Sequence, residues 1–218
     1  LGSKWAGRAK ALKRGSARRR GAQKGRASRA EPWLLVTGQP GSGKTTLVRE
    51  VASALVGRAR LRVRGFITEE VLDSEGTRLG FDVVTLPKGQ RGILARKGGP
   101  AHQPRNGSYS VDVASFEALA LPPLERAVAA CHPSEVIVID EIGRMELHSE
   151  RFQAAVKALL RARRRVFGAI TAPIYGHRVA FCDAITAKVG VVSVHRITMA
   201  NRDAVRKEVE DRLVGSWG

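Results

Sequence analysis

From Trp33 to the C-terminus, short and nearly continuous apolar runs alternate with stretches whose apolar residues recur every three or four positions. The runs are WLLVT (33–37), EVIVID (135–140), VFGAIT (166–171) and VGVVSVHRI (189–197). Their length and continuity predict strands buried on both faces, as in a parallel sheet. Between them, TTLVREVASALV (45–56) sets Leu47, Val51, Ala54 and Leu55 at helical spacing. SERFQAAVKALLRARRR (149–165) predicts an amphipathic helix with Ser149 as its N-cap. Residues 177–187 and ANRDAVRKEVEDRLV (200–214) predict two more helices. Strands alternating with helices make this an α/β chain, doubly wound, with a mostly parallel central sheet flanked by helices.

The rhythm changes between residues 61 and 113. LRVRGFITEEV (61–71) and RLGFDVVTL (78–86) read as strands joined through Asp73, Ser74, Glu75 and Gly76, an inserted β-hairpin. Residues 87–108 are rich in Gly, Pro and Arg and predict a mobile loop. YSVDVAS (109–115) predicts a short strand ending at a helix cap, Ser115. The helix FEALALPPLERAVAA (116–130) is expected to bend or restart at Pro122–Pro123.

Charge divides the chain into the same two parts as hydropathy. The 218 residues carry a formal net charge of +18. Residues 1–31 hold 11 Lys and Arg and one acid, Glu31; residues 32–218 hold 27 Lys and Arg and 19 acids. The first segment is poor in large apolar residues and is expected to be disordered. Its composition suits a solvated tail or linker, an organelle transit segment, or a nucleic-acid-binding arm. Residues 32–218 form the folded domain, and nucleic acid is expected to contact the chain only through the tail 1–31. No apolar stretch is long enough to span a membrane. Cys131 and Cys182 lack metal-ligand spacing and read as reduced thiols of a cytoplasmic or organellar protein. The five histidines (102, 132, 148, 177, 195) show no ligand spacing either.

VTGQPGSGKTTL (36–47) contains Gly38, Gly43, Lys44 and Thr45 in the spacing G-x-x-x-x-G-K-[ST], between a predicted strand and a predicted helix. In a P-loop, bare glycines let backbone N–H groups wrap phosphates, and the helix adds its positive end. Lys44 is expected to bridge the outer phosphates and Thr45 to hold Mg²⁺. The strand EVIVID ends in Asp140, followed by Glu141. Asp140 is the expected second metal residue, and Glu141 the carboxylate that activates water. DEIG (140–143) also fits the D-x-x-G of switch GTPases, but NRD (201–203) lacks the lysine and spacing of a guanine-reading motif. A small-molecule kinase stays open: residues 61–113 would hold its acceptor and RARRR (161–165) would be a phosphate lid. RARRR reads more readily as a solvated helix end favoured by the helix dipole. An RNA-associated ATP-binding module built on the tail is a further alternative.

Six stretches in order, GQPGSGKTTL (38–47), GFITEEV (65–71), GFDVVTL (80–86), VDVASFEALALPPL (111–124), VIDEIGRMEL (138–147) and ITMANRD (197–203), resemble a known family. It is the small P-loop nucleoside-triphosphatases typified by the cancer-related nucleoside-triphosphatase and its thermophile relatives. The resemblance implies a RecA-like core, a monomer, and Mg²⁺-dependent hydrolysis of ATP, GTP, CTP and UTP to diphosphates with little base discrimination. It carries phosphate binding onto Gly38, Gln39, Pro40, Gly41, Ser42, Gly43, Lys44, Thr45 and Thr46. It carries the metal onto Thr45 and Asp140 and water activation onto Glu141. Val138, Ile139, Ile142, Gly143 and Arg144 join the nucleotide-binding segment. Arg144 would act as an internal arginine finger or pair with Glu146 or Glu141. Asn201 and Arg202 become base or ribose contacts, although Ala200 stands where the family usually has Glu. Glu69, Glu70 and Asp82 fall at the site rim. Residues 1–31 have no counterpart, and TAPIYGH (171–177) diverges from the usual wording.

Overall fold

The computed structural model describes residues 31–57, 60–171 and 178–217. Nine strands and five helices follow in the order β1 (Trp33–Thr37), α1 (Lys44–Val56), β2 (Arg62–Leu72), β3 (Arg78–Leu86), β4 (Arg91–Lys97), β5 (Arg105–Asn106), β6 (Tyr109–Val111), α2 (Val113–Ala129), β7 (Glu135–Ile142), α3 (Glu150–Arg161), β8 (Val166–Ile170), α4 (Ala180–Thr186), β9 (Val192–Arg196) and α5 (Arg202–Trp217). A single 3-10 turn, Glu146–His148, separates β7 from α3. All described strands join one sheet in the order β5-β6-β4-β3-β2-β7-β8-β1-β9. From β2 to β9 the neighbours run parallel. From β2 to β5 they run antiparallel.

The parallel half puts the C-terminal ends of β1 and β7 at one edge, with β8 between them. Unbroken apolar runs suit this position because helices cover both faces. Leu47, Val51 and Leu55 of α1 and Val209 and Leu213 of α5 pack on Leu34, Val36, Val138 and Phe167. On the other face, α2, α3 and α4 cover Leu35, Ile137 and Ile139. There Phe66 of β2, Phe116 of α2 and Phe152 of α3 meet edge to face, with centroids 5.5, 6.0 and 5.3 Å apart. Such pairs stabilise beyond their buried area, and they fix both helices against β2.

Several local expectations change. The 61–86 segment is the expected hairpin, β2 antiparallel to β3, but β2 also pairs in parallel with β7 and so belongs to the central sheet. Residues 87–108 contain β4 and β5. The cap of α2 is Asp112, whose carboxylate accepts from Ser115 N at 2.9 Å. Helix α2 runs continuously through Pro122 and Pro123. Helix α3 stops at Arg161, and Arg163 adopts a φ of 49°. Val166 N donates to Pro32 O (2.8 Å), so residues 161–165 sit at the start of the parallel strands, the edge opposite the P-loop. That position rules out RARRR as a phosphate lid. The tail reading concerns residues that, up to Ala30, lie outside the described ones, as does most of TAPIYGH.

Candidate active site

Strand β1 ends at Thr37, whose hydroxyl donates to Ile170 O at 2.9 Å and ties it to β8. The chain then turns through Gly41 and Gly43, with φ of 78° and 86°. Left-handed geometry favours glycine there, and Gly43 is the N-cap from which α1 starts. Ser42 N donates to Gln39 O (3.1 Å) and closes the loop, while Ser42 Oγ is buried without a hydrogen-bond partner. Lys44 Nζ donates to Gly38 O at 3.2 Å and lies 3.7 Å from Glu141 Oε2.

Asp140 and Glu141 arrive from the end of β7, where its ladder with β8 is interrupted between Ile139 and Ile142. Such irregularities re-aim side chains next to sites. Asp140 is fully buried. Its carboxylate accepts from Thr45 Oγ1 (3.4 Å), Thr68 N (3.4 Å) and Thr68 Oγ1 (3.3 Å). Burial, with the charge of Glu141 added, pushes Asp140 up to about 7. Glu141 accepts from Thr171 Oγ1 at 2.6 Å. Three hydroxyls, one backbone N–H and one ammonium thus aim the pair, and none of the residues that supply them lies near it in sequence.

A cleft of about 510 Å³ opens over these groups, lined by Gly38, Pro40, Lys44, Thr45, Thr68 and Thr171 with Glu141, Arg144 and Glu146. Phe81, Leu94 and Asn106 supply a wall from the antiparallel half. A second cavity of about 350 Å³ adjoins it at Thr45, Thr46 and Arg49, with Glu69 and Glu70 on its far side. Glu69 and Asp82 pair with Arg91, Asp82 also with Arg96, and Glu70 with Arg78. These rim acids therefore hold the antiparallel strands together.

Other expected residues are placed differently. Val138, Ile139 and Ile142 are fully buried core side chains of β7; in this position they shape the strand that carries the carboxylates. Asn201 Oδ1 accepts from Thr198 N (2.7 Å) and Thr198 Oγ1 (3.1 Å), and its Nδ2 donates to Arg196 O (3.1 Å). Arg202 packs over the loop so closely that a Cβ on Gly43 would meet its Cδ at 2.8 Å. Three cleft residues, Thr68, Glu146 and Thr171, have no role in nucleotide binding assigned by the sequence, although Thr68 and Glu146 lie inside the stretches GFITEEV and VIDEIGRMEL. The available signal was a polar residue at the C-terminal end of a buried strand, which Thr171 satisfies.

The donors near Thr45 and Asp140 are hard oxygens, the set Mg²⁺ prefers. Among the described ion pairs none reaches Asp140, so a dication there would offset the cost of its buried charge. The residues present fit such an ion.

A family model described as NTPase matches residues 33–210. The chain is 40% identical over 189 residues to the cancer-related nucleoside-triphosphatase homolog of Bos taurus, covering 84% of this chain and 97% of that one. The solution structure of a human cancer-related nucleoside triphosphatase superposes with a TM-score of 0.71 at 39% identity, over 84% of this chain and 98% of that one. The crystal structure of THEP1 from the hyperthermophile Aquifex aeolicus gives 0.68 at 34% identity, over 81% and 95%.

Proposed function

The chain belongs to the NTPase family, and from that premise we propose that it is a Mg²⁺-dependent hydrolase. It cleaves the terminal phosphoanhydride of nucleoside triphosphates to give diphosphate and phosphate. The observation that carries this reading is the setting of Glu141, at the P-loop cleft between Lys44 Nζ (3.7 Å) and Thr171 Oγ1 (2.6 Å).

The glycine turn and the N-terminus of α1 offer backbone N–H groups and a positive dipole end to the phosphates. Lys44 can exchange its contacts with Gly38 O and Glu141 for the phosphate oxygens, stabilising the charge that develops there. This exchange frees the Glu141 carboxylate to orient a water and take its proton. Thr171 holds one Glu141 oxygen, leaving the other for that water. Thr45 and Asp140 would hold Mg²⁺, which when bound supplies positive charge against the outer phosphates. Among the described residues no three His, Cys, Asp or Glu side chains form a metal cage. A Mg²⁺ ion held by one or two protein groups plus substrate oxygens fits that pattern. Among the described residues no helix is long and apolar enough to cross a membrane. Any contact with nucleic acid falls to residues 1–31.

Glu141→Gln tests the assignment. It should bind nucleotide as the parent does and turn over ~10²–10⁴-fold more slowly, the contribution of a positioned base. Hydrolysis at the parent rate would remove Glu141 from the mechanism.

A further inference from the structure

The 510 Å³ cleft has two ends of different chemistry. Gly38, Pro40, Lys44 and Thr45 line one of them, beside Glu141. Phe81 of β3, Leu94 of β4, Asn106 of β5 and Met145, just after β7, line the other. Strand order keeps these ends apart. β1 and its loop have β9 on one side and β8, β7, β2, β3 and β4 on the other. On the β9 side Arg202 lies against the loop, where a Cβ on Gly43 would meet its Nη1 at 2.9 Å. Lys44 Nζ, 3.7 Å from Glu141, marks the place of the terminal phosphate. The other phosphates then follow the loop back from β7, and the nucleoside leaves on the β9 side. Phe81, Leu94, Asn106 and Met145 therefore lie beyond the terminal phosphate, opposite the leaving diphosphate. An in-line nucleophile approaches from that side.

This end is built for more than water. A water occupies about 30 Å³ and needs two to four polar partners, whereas the wall here is largely apolar. Leu94 is buried, and Phe81 and Met145 are half-buried. Phe81 is braced from behind: its ring meets Tyr109 edge to face at 5.4 Å, and the Arg78 guanidinium lies 5.4 Å from its centroid. Asn106 stands at the tip of the β5–β6 hairpin, opposite Tyr109 and before Gly107, whose φ is 61°. Among the described hydrogen bonds none uses the Asn106 side-chain amide. That amide offers two donors and an acceptor to whatever enters. A few aimed polar groups on an apolar wall are the usual make-up of a small-molecule site.

We propose that this end of the cleft is an acceptor subsite, and that the protein also transfers the terminal phosphate to a primary alcohol carried on an aromatic body. The inference rests on the reading of Glu141 as base. The aromatic body packs on Phe81, Leu94 and Met145, and Asn106 bonds a polar group at its edge. The hydroxyl then stands where the attacking water would. Its oxygen forms a bond to the terminal phosphorus while the bond from phosphorus to the bridging oxygen breaks. That electron pair leaves on the nucleoside diphosphate, and the hydroxyl proton passes to Glu141. The products are a phosphate monoester and a nucleoside diphosphate. Without an alcohol in the subsite, water takes the phosphate.

The test incubates the full chain with Mg²⁺ and ATP labelled in its terminal phosphate, adding in turn benzyl alcohol, 2-phenylethanol and the four ribonucleosides. Labelled ester and labelled inorganic phosphate are separated and counted. An alcohol at ~10 mM with no site would take at most about a thousandth of the label, because water outnumbers it, whereas a held hydroxyl should take about a tenth or more. Ester at the lower level with every probe overturns the proposal. Phosphate release without ester leaves the hydrolase reading standing; loss of both removes that reading as well. Asn106→Ala, on a short edge strand, should lower the ester-to-phosphate ratio by roughly tenfold, the worth of one lost hydrogen bond. A ratio equal to the parent's overturns the proposal. So does a rise of roughly tenfold in KM for ATP in Phe81→Ala, which would put the nucleoside itself at this end.

Discussion

Asp140 is fully buried and accepts hydrogen bonds from Thr45 and Thr68. These bonds favour the carboxylate, but desolvation outweighs them and raises it from 3.8 to about 7. The folded chain therefore holds a proton that the unfolded chain releases at lower pH. Its stabilisation is complete below pH 3.8 and is lost as pH rises through about 7. Between those limits the chelator-treated parent should lose Tm with rising pH relative to Asp140→Asn. Mg²⁺ with nucleotide should reverse the trend by favouring the charged form. Equal slopes for parent and variant in metal-free melts would refute this account. Asp140 and Glu141 were legible because they end an apolar run. Thr68 and Glu146 were not, since their value depends on which strand or turn lies beside β7.

Helix α3 is the element that fixes the far side of the cleft turn. Its N-cap, Ser149, is buried, accepts from Phe152 N at 2.9 Å and donates to Glu117 Oε1 at 2.6 Å. Ser149→Ala removes both bonds and should destabilise by about 1–2 kcal/mol, the usual value of a lost cap. Ser149→Thr should recover most of it. A denaturant midpoint unchanged by the alanine variant would show that the cap is dispensable. This cap was readable from sequence because its chemistry is local. The course of α2 was not: Ala120, Leu121 and Leu124 are buried on the sheet, and that packing overrides the helix-breaking preference of Pro122–Pro123. Strand β4 was hidden for a related reason. It offers few apolar residues and relies on pairing with β3 and on the ion pairs of Arg91 and Arg96 with Asp82.

Across the whole molecule, the cleft forms where the parallel and antiparallel halves of one sheet meet, with the P-loop on one side and Phe81 and Leu94 on the other. Its strong chemistry is gathered at the phosphate end. Near the loop 198–202, Asn201 spends its carbonyl oxygen and one amide N–H on its own backbone neighbours, which supports weak reading of the base. ATP, GTP, CTP and UTP should then be hydrolysed with kcat/KM within about tenfold of one another; a preference of roughly 10⁴ for one would demand hydrogen bonds to its base. Sequence alone determined the P-loop, the buried strands and the acidic pair. Those features rest on local spacing and on continuous apolar runs. Only the tertiary structure decided that β2 joins the central sheet, that RARRR lies at the opposite edge, and that Thr68, Thr171 and Glu146 surround the acidic pair. Strand order is set by packing between distant segments, and it alone determines which side chains share a cleft.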